Sequence, residues 1–130
     1  MAGVTHVFSF GWRNGSANPL NPSVSVNADA EVNVVNTVIN ANTTNTEIDV
    51  TIPFASIKGL FMYSDVDMTV HTNNTTGAQT FDLTGGSPIT WYTGSGLDNP
   101  VNTDVTALFV DCPGAVNGHF DLRCALDVTP

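Results

Sequence analysis

The chain has three histidines that could serve as catalytic bases, namely His6, His71 and His119. A nucleophilic enzyme would also need a serine or cysteine held beside such a base, with an acid to orient it. No nucleophile-elbow or cysteine-protease motif surrounds any Ser or Cys. His71 and His119 fall on the polar faces of predicted strands, and His6 lies in an N-terminal strand. We therefore expect surface or interface histidines, and no enzyme.

The acidic residues offer two further kinds of chemistry. Asp65 and Asp67 are the tightest carboxylate pair and would suit a glycosidase, but Asp65 falls in a predicted turn. The best candidate calcium loop contains Asp98-Asn99, Asn102 and Asp104, without the spacing of a calcium motif. We expect solvated turn acids in both places, with no metal and no cofactor.

The two cysteines make a poor zinc site, because neither has a nearby His or a third Cys. Cys124 lies on the apolar face of a strand pattern, which favours a buried thiol. Cys112 precedes Pro113-Gly114 at a strand end. A disulfide between Cys112 and Cys124 remains an alternative.

Charge narrows the choice of partners. Twelve acids against Lys58, Arg13 and Arg123 give a net charge of −9. A nucleic-acid binder needs a basic surface, and an anionic membrane repels an acidic protein. We therefore expect neither nucleic acid nor a membrane as a partner. A basic or mixed protein partner remains open, as does a charge that only maintains solubility. The chain has no apolar run long enough to span a membrane and no basic, apolar start typical of a signal peptide.

Composition and periodicity predict an all-β fold. Thr (17) and Asn (14) replace the usual helix formers, since the chain has one Lys and two Glu. Apolar and polar residues alternate with period two, which gives a strand one buried and one wet face. The clearest inward set is Phe120, Leu122, Cys124, Leu126 and Val128. The runs 57–63 and 105–110 are more uniformly apolar and predict central strands or strands with a second contact surface.

Turn signals divide these runs. Ser64-Asp65 predicts a tight hairpin, because it leaves almost no room between two strands. Asn117-Gly118 is the strongest hairpin signal, since both residues tolerate positive φ. About eight short strands at this spacing suggest a sandwich, a jelly roll or a barrel.

The first part of the chain is less regular, although 130 residues fit one domain. We divide it into residues 1–46, an N-terminal arm with edge strands packed on the same domain, and residues 47–130, a β-sandwich core. Residues 40–46 predict a polar loop.

Aromatic residues divide into a core set and an interface set. Core packing is expected for Phe81, Trp91, Phe109 and Phe120. Phe61 and Tyr63 share one strand face, and an exposed aromatic row could stack sugars. Trp12 beside Arg13 suits an interface anchor, since both types are enriched at hot spots. The predicted protein interface consists of Phe8, Phe10, Trp12 and Arg13.

Several segments resemble one group of viral proteins. They are VTHVFSFGWRNG (4–15), IKGLFMYSDVDMTVHTN (57–73), PITW (88–91), DVTALFV (104–110) and LDVTP (126–130). Their order and texture resemble the cement, or head-decoration, proteins of tailed phages, and the likeness covers most of the chain.

The resemblance implies a jelly-roll-like antiparallel β-sandwich with an extended N-terminal arm. It also implies a homotrimer on the outer surface of the virion capsid, clamping neighbouring subunits of the major capsid protein. Such a role needs no small-molecule substrate, nucleic acid or membrane. The alternative is a receptor- or carbohydrate-binding β-sandwich domain of a phage tail or fibre.

Overall fold

The structure is a computed structural model that describes residues 4–10, 12–14, 17–20 and 22–128. These residues form twelve strands with antiparallel pairing throughout, and the sole helical element among them is one 3₁₀ turn, Phe54–Ser56. The prediction of an all-β antiparallel fold is therefore confirmed. The cause is a chain rich in Thr, Val and Asn, which suit pleated strands and tight turns.

The strands have the following bounds: β1 Val4–Ser9, β2 Trp12–Asn14, β3 Ala17–Leu20, β4 Ser23–Ala28, β5 Ala30–Ile39, β6 Thr43–Ile52, β7 Ile57–Ser64, β8 Met68–Thr72, β9 Thr80–Leu83, β10 Ile89–Tyr92, β11 Val105–Cys112 and β12 Gly118–Leu126. Sheet I has the order β10-β7-β12-β5, and sheet II has the order β6-β11-β8-β9. The strands β7 and β11 are interior strands, as their apolar runs predicted.

One hydrophobic core joins the inner faces of the two sheets. From sheet I, Phe120 and Leu122 are almost completely buried, and from sheet II so are Leu108 and Val110. On β12 the inward residues follow the predicted alternation from Phe120 to Leu126, whereas the inward position predicted for Val128 is wrong, because it lies beyond the strand and is exposed. Full burial of one large apolar side chain contributes roughly 1.5–3 kcal/mol, so this alternation is the main stabilising feature of the sandwich.

The N-terminal strands form an antiparallel ribbon outside the two sheets. β1 pairs with β4 and β2 pairs with β3, while the Phe10 amide donates to the Pro22 carbonyl between the two pairs at 3.0 Å. We call the described residues from Val4 to Ala28 the N-terminal ribbon. It continues through Asp29 directly into β5, whose first residue is Ala30.

The division at residues 46 and 47 falls inside β6. β5 and the first part of β6 precede it, and both are edge strands of the four-stranded sheets. The loop predicted for residues 40–46 is wrong from Thr43 onward, because those residues pair with β11. Asn42 and Asn45 adopt positive φ, which lets the chain turn and bulge without leaving the sheet.

The tight hairpin predicted at Ser64-Asp65 is also wrong, because β7 belongs to sheet I and β8 to sheet II. The connection crosses from one sheet to the other. It is held by the buried Ser64 hydroxyl, which donates to the Val66 carbonyl at 2.7 Å, and by Asp65, which accepts the His119 amide at 2.7 Å.

The hairpin predicted at Asn117-Gly118 is wrong for the same reason, since β11 lies in sheet II and β12 in sheet I. Gly118 is required for close packing rather than for a tight turn. A Cβ atom there would collide with the side chains of Met68 and Val66. The glycine therefore permits the close approach of β12 to the crossing between β7 and β8.

Three of the four predicted core aromatics contact the core. Phe81 and Phe120 are buried, and Trp91 packs against the core while its indole N–H donates to the Leu97 carbonyl at 2.8 Å. The prediction for Phe109 is wrong. It lies between the buried Leu108 and Val110 on β11, so strand alternation turns it outward.

Candidate functional site

The outer face of sheet I carries aromatic, very small and polar residues in two cross-strand rows. Strand register sets these rows, because residues paired across neighbouring antiparallel strands point to the same face. The first row is Tyr92, Gly59, Ala125 and Glu31, and the second is Thr90, Phe61, Arg123 and Asn33.

The base of the N-terminal ribbon lies on this face, and Phe8 is its main contact. A Cβ atom on Gly59 would lie 2.6 Å from Phe8 Cζ, so the ring occupies the space left by the absent side chain. The ring centroids of Phe8 and Phe10 lie 5.5 and 6.1 Å from that of Tyr92. Aromatic pairs at such distances are worth about 0.5–1.5 kcal/mol beyond their burial.

A polar contact fixes the other side of the ribbon base. His6 Nε2 lies 2.6 Å from Glu31 Oε1, and the Asn33 side-chain amide donates to Glu31 Oε2 at 3.0 Å. The hydrogen bond from Asn33, followed by that with His6, holds the pKa of the Glu31 carboxyl below its ordinary value. The ionised carboxylate therefore links β1 to the edge strand β5.

An open groove of about 600 Å³ lies between β1 and the second row of sheet I. We call it the outer groove. Gly59 and Ala125 line it between larger neighbours, and other lining residues are His6, Phe8, Phe10, Glu31, Asn33, Phe61, Thr90 and Arg123. The Arg123 side chain is 49% exposed and donates to Asp121 at 3.2 Å. Its remaining N–H groups are available to a ligand in the groove.

Two pairs of exposed apolar residues lie beside this region. On the ribbon, Val7 is 59% and Phe10 37% exposed; on β5, Val35 is 58% and Val38 51% exposed. A bulge at Asn36 separates the two valines, and its amide donates to Asp121 at 2.9 Å. Neighbouring exposed apolar residues are typical of protein interaction sites.

The structure brings two predicted interface residues to the outer groove. Phe8 is half-buried there against its own chain, and Phe10 remains exposed. Trp12 and Arg13 belong to β2 by their backbone, whereas their side chains lie outside the described part of the structure.

The histidines are dispersed, and each lies beside a different carboxylate. Besides the pair of His6 with Glu31, His71 Nε2 lies 3.2 Å from Asp111 and His119 Nδ1 lies 2.8 Å from Asp65. The backbone amide of His119, and then its side chain, lower the pKa of Asp65. These pairs connect strands or hold the crossing between the sheets.

The residues of the candidate glycosidase pair and calcium loop contact other parts of the chain. Asp67 accepts the Gly85 amide and Asp104 accepts the Phe54 amide. The side-chain oxygen of Asn99 accepts the Val101 amide within its own turn. Over the described ranges, no group of three or more His, Cys, Asp or Glu residues is placed to hold a metal ion.

Both cysteines are buried as free thiols. Cys124 lies in sheet I and Cys112 in sheet II, and the Cys112 thiol donates to the Val116 carbonyl at 3.7 Å. Burial raises the pKa of Cys124 to about 12, so this thiol is unreactive near neutral pH.

Sequence reasoning missed the outer groove. A glycine inside a strand signals a close approach by another part of the chain, and Gly59 carried that signal. Its partner, Phe8, is fifty-one positions earlier. Only the folded chain shows that the ribbon returns over β7 and leaves an open groove beside Phe61.

Comparisons with protein-family models, with curated proteins and with solved structures found no match to this chain. In the part of the chain that the structure describes, no helix has the length and apolar character needed to cross a membrane.

Proposed function

We propose that this protein is a viral structural protein of the cement type. It binds the outer surface of an assembled phage capsid and stabilises it by clamping neighbouring major capsid subunits. The observation that carries the proposal is the N-terminal ribbon. Its base is fastened to sheet I through Phe8 and His6, while Val7 and Phe10 present apolar side chains to the outside.

The finer fold that we propose is a jelly roll, and strand order supports it. The eight strands β5–β12 form both sheets. In sheet I, β5 pairs with β12, and β7 lies between β12 and β10. In sheet II, β6 pairs with β11, and β8 lies between β11 and β9. Successive strands therefore alternate between the two sheets, except for β8 and β9, which are neighbours in sheet II. Jelly rolls are frequent in viral capsid proteins, which supports the function by analogy of fold.

The ribbon is, in our proposal, the extended arm. Among the described elements β2 and β3 contact mainly each other, whereas β4 also contacts β7. A ribbon that is fastened at its base and has few contacts at β2–β3 suits a reach into a neighbouring subunit. Trp12 and Arg13 belong to β2, and both residue types are enriched among interface hot spots.

Lattice stabilisation follows from binding alone. A protein that binds assembled subunits but not free ones shifts the equilibrium towards the assembled shell. A homotrimer, which we also propose, strengthens this effect because its linked sites bind at high effective concentration. The net charge of −9 favours a basic or mixed capsid surface and a salt-sensitive association rate.

The test is to mix the purified protein with undecorated heads of the phage. We expect saturable binding at a fixed ratio to capsid subunits, and a higher melting temperature of the heads. Absence of binding at micromolar protein would contradict the proposal.

Variants locate the contact. The double variant V7S/F10S should weaken head binding by tenfold or more, because truncating hot-spot residues costs upwards of about 2 kcal/mol. The matched control L97S/V116S also removes two exposed apolar side chains and should bind normally. Equal losses in both variants would show that the ribbon is not the contact.

The outer groove favours a second candidate function, the receptor- or carbohydrate-binding domain of a phage tail or fibre. Such a domain would bind its receptor and leave heads undecorated. Electron microscopy of virions labelled with a specific antibody separates the two functions by the position of the label.

A further inference from the structure

We propose that the outer groove binds a neutral saccharide. The inference concerns only the ligand of the outer groove and is compatible with both functions proposed above. It rests on an aromatic wall and a row of planar polar side chains that face the same opening.

Aromatic rings form the apolar part of the groove. Phe8 and Phe10 border it on the ribbon side, and Phe61 borders it on β7. Phe61 is itself stacked on Tyr63, with 6.2 Å between the ring centroids and 19° between the planes. The C–H groups on one face of a pyranose are slightly positive, so they are attracted to the negative face of an aromatic ring.

Planar polar side chains supply hydrogen bonds on the β5 and β12 side. Arg123 is a half-exposed donor, Asn33 offers an amide, and the Glu31 carboxylate has capacity beyond the bonds with His6 and Asn33. Donors and acceptors side by side match the paired hydroxyls of a sugar. One cation and one carboxylate at the opening, in a protein of net charge −9, favour an uncharged ligand.

Size and shape agree with a short oligosaccharide. A volume of about 600 Å³ lies within the roughly 300–1,000 Å³ of small-molecule sites. Phe8 fills the space above Gly59, and the groove opens between this ring and the second row, beside the small side chain of Ala125. It is open, so a chain of sugar rings can extend beyond it.

The backbone beneath the groove favours a saccharide over a peptide. A peptide that binds by strand addition needs a free sheet edge. The floor of the groove belongs to β7 and β12, which are interior strands already paired on both sides. A ligand that lies on this floor therefore contacts side chains rather than unpaired backbone groups, as sugars do.

The experiment uses the full chain and a panel of neutral oligosaccharides of glucose, mannose, galactose and N-acetylglucosamine. Binding on the panel is followed by saturation-transfer NMR and calorimetry. R123Q should weaken binding by on the order of tenfold because it removes a charged hydrogen-bond donor, and F61L should weaken it by a similar factor because it removes an aromatic face. The controls K58Q and F54L remove the other cation of sheet I and an exposed aromatic outside the groove, and should bind normally.

Three results would overturn the proposal. The first is no binding to any neutral oligosaccharide at millimolar concentration, and the second is binding only to acidic polysaccharides such as polygalacturonate. The third is a loss of saccharide binding in K58Q and F54L equal to that in R123Q and F61L. Thermal melting of each variant verifies that it is folded. Head binding is measured with the same variants. If R123Q and F61L lose head binding and no saccharide binds, the groove is a capsid contact, and only the saccharide proposal fails.

Discussion

The outer face of sheet I differs from the outer face of sheet II in both composition and cover. Sheet I presents Gly59, Phe61 and Arg123 beneath a ribbon that packs upon it. The outward carboxylates of sheet II are Glu47, Asp49, Asp82 and Asp111, and both basic residues outside the ribbon, Lys58 and Arg123, lie on sheet I. The inner faces are alike, because both must fill one core. The outer faces are free to differ, so they carry the information about function.

Matched truncations of the two inner faces should have the largest effect and should be alike. L122A in sheet I and L108A in sheet II each remove a buried leucine, at a cost of roughly 2–5 kcal/mol in the free energy of unfolding. Urea denaturation measures both. A cost below about 1 kcal/mol for either would show that its sheet does not share the core.

A small change on the outer face of sheet I should have the next largest effect. G59A places a methyl group against Phe8, so it should lower the free energy of unfolding by about 1–3 kcal/mol and loosen the ribbon. Tryptic cleavage after Arg13 should accelerate at neutral pH. The control T51V alters an exposed strand position of sheet II. Unchanged cleavage of G59A would contradict the position of Phe8.

Acid should weaken the link between the ribbon and β5. The folded-state pKa of Glu31 lies below its ordinary value of 4.5, so the carboxylate contributes stability above that pH. This contribution is lost as the pH falls through the lowered folded-state pKa. The difference in melting temperature between the wild type and E31Q should therefore shrink from pH 7 to pH 3. N33A removes the first hydrogen bond to Glu31, so its melting temperature at pH 7 should differ from that of the wild type by less than that of E31Q does. A difference between the wild type and E31Q that is independent of pH would contradict the link.

Changes on the outer face of sheet II should have the smallest effect. E47Q/D49N alters two exposed carboxylates and should change the free energy of unfolding by less than about 0.5 kcal/mol. Urea denaturation again provides the measurement. A loss above about 1 kcal/mol would mean that this face has a structural contact comparable to the ribbon on sheet I.

Much of the fold could be predicted from local pattern, and the candidate site could not. The alternation from Phe120 to Leu126 follows from residue types at period two, and the interior positions of β7 and β11 follow from their more uniformly apolar runs. The predicted core position of Phe109 is wrong because its neighbours Leu108 and Val110 occupy the inward positions. The outer groove depends on the contact between Phe8 and Gly59, and a pairing across fifty-one positions leaves no local periodicity.

The sequence by itself determined that the chain forms antiparallel strands with one apolar face each, because side-chain alternation is a property of neighbouring residues. Only the tertiary structure decided which sheet each strand joins. The signals at Ser64-Asp65 and Asn117-Gly118 marked where the chain reverses, but both connections cross between sheets. A local turn motif specifies a change of direction, whereas burial of the whole core selects the sheet to which the next strand belongs.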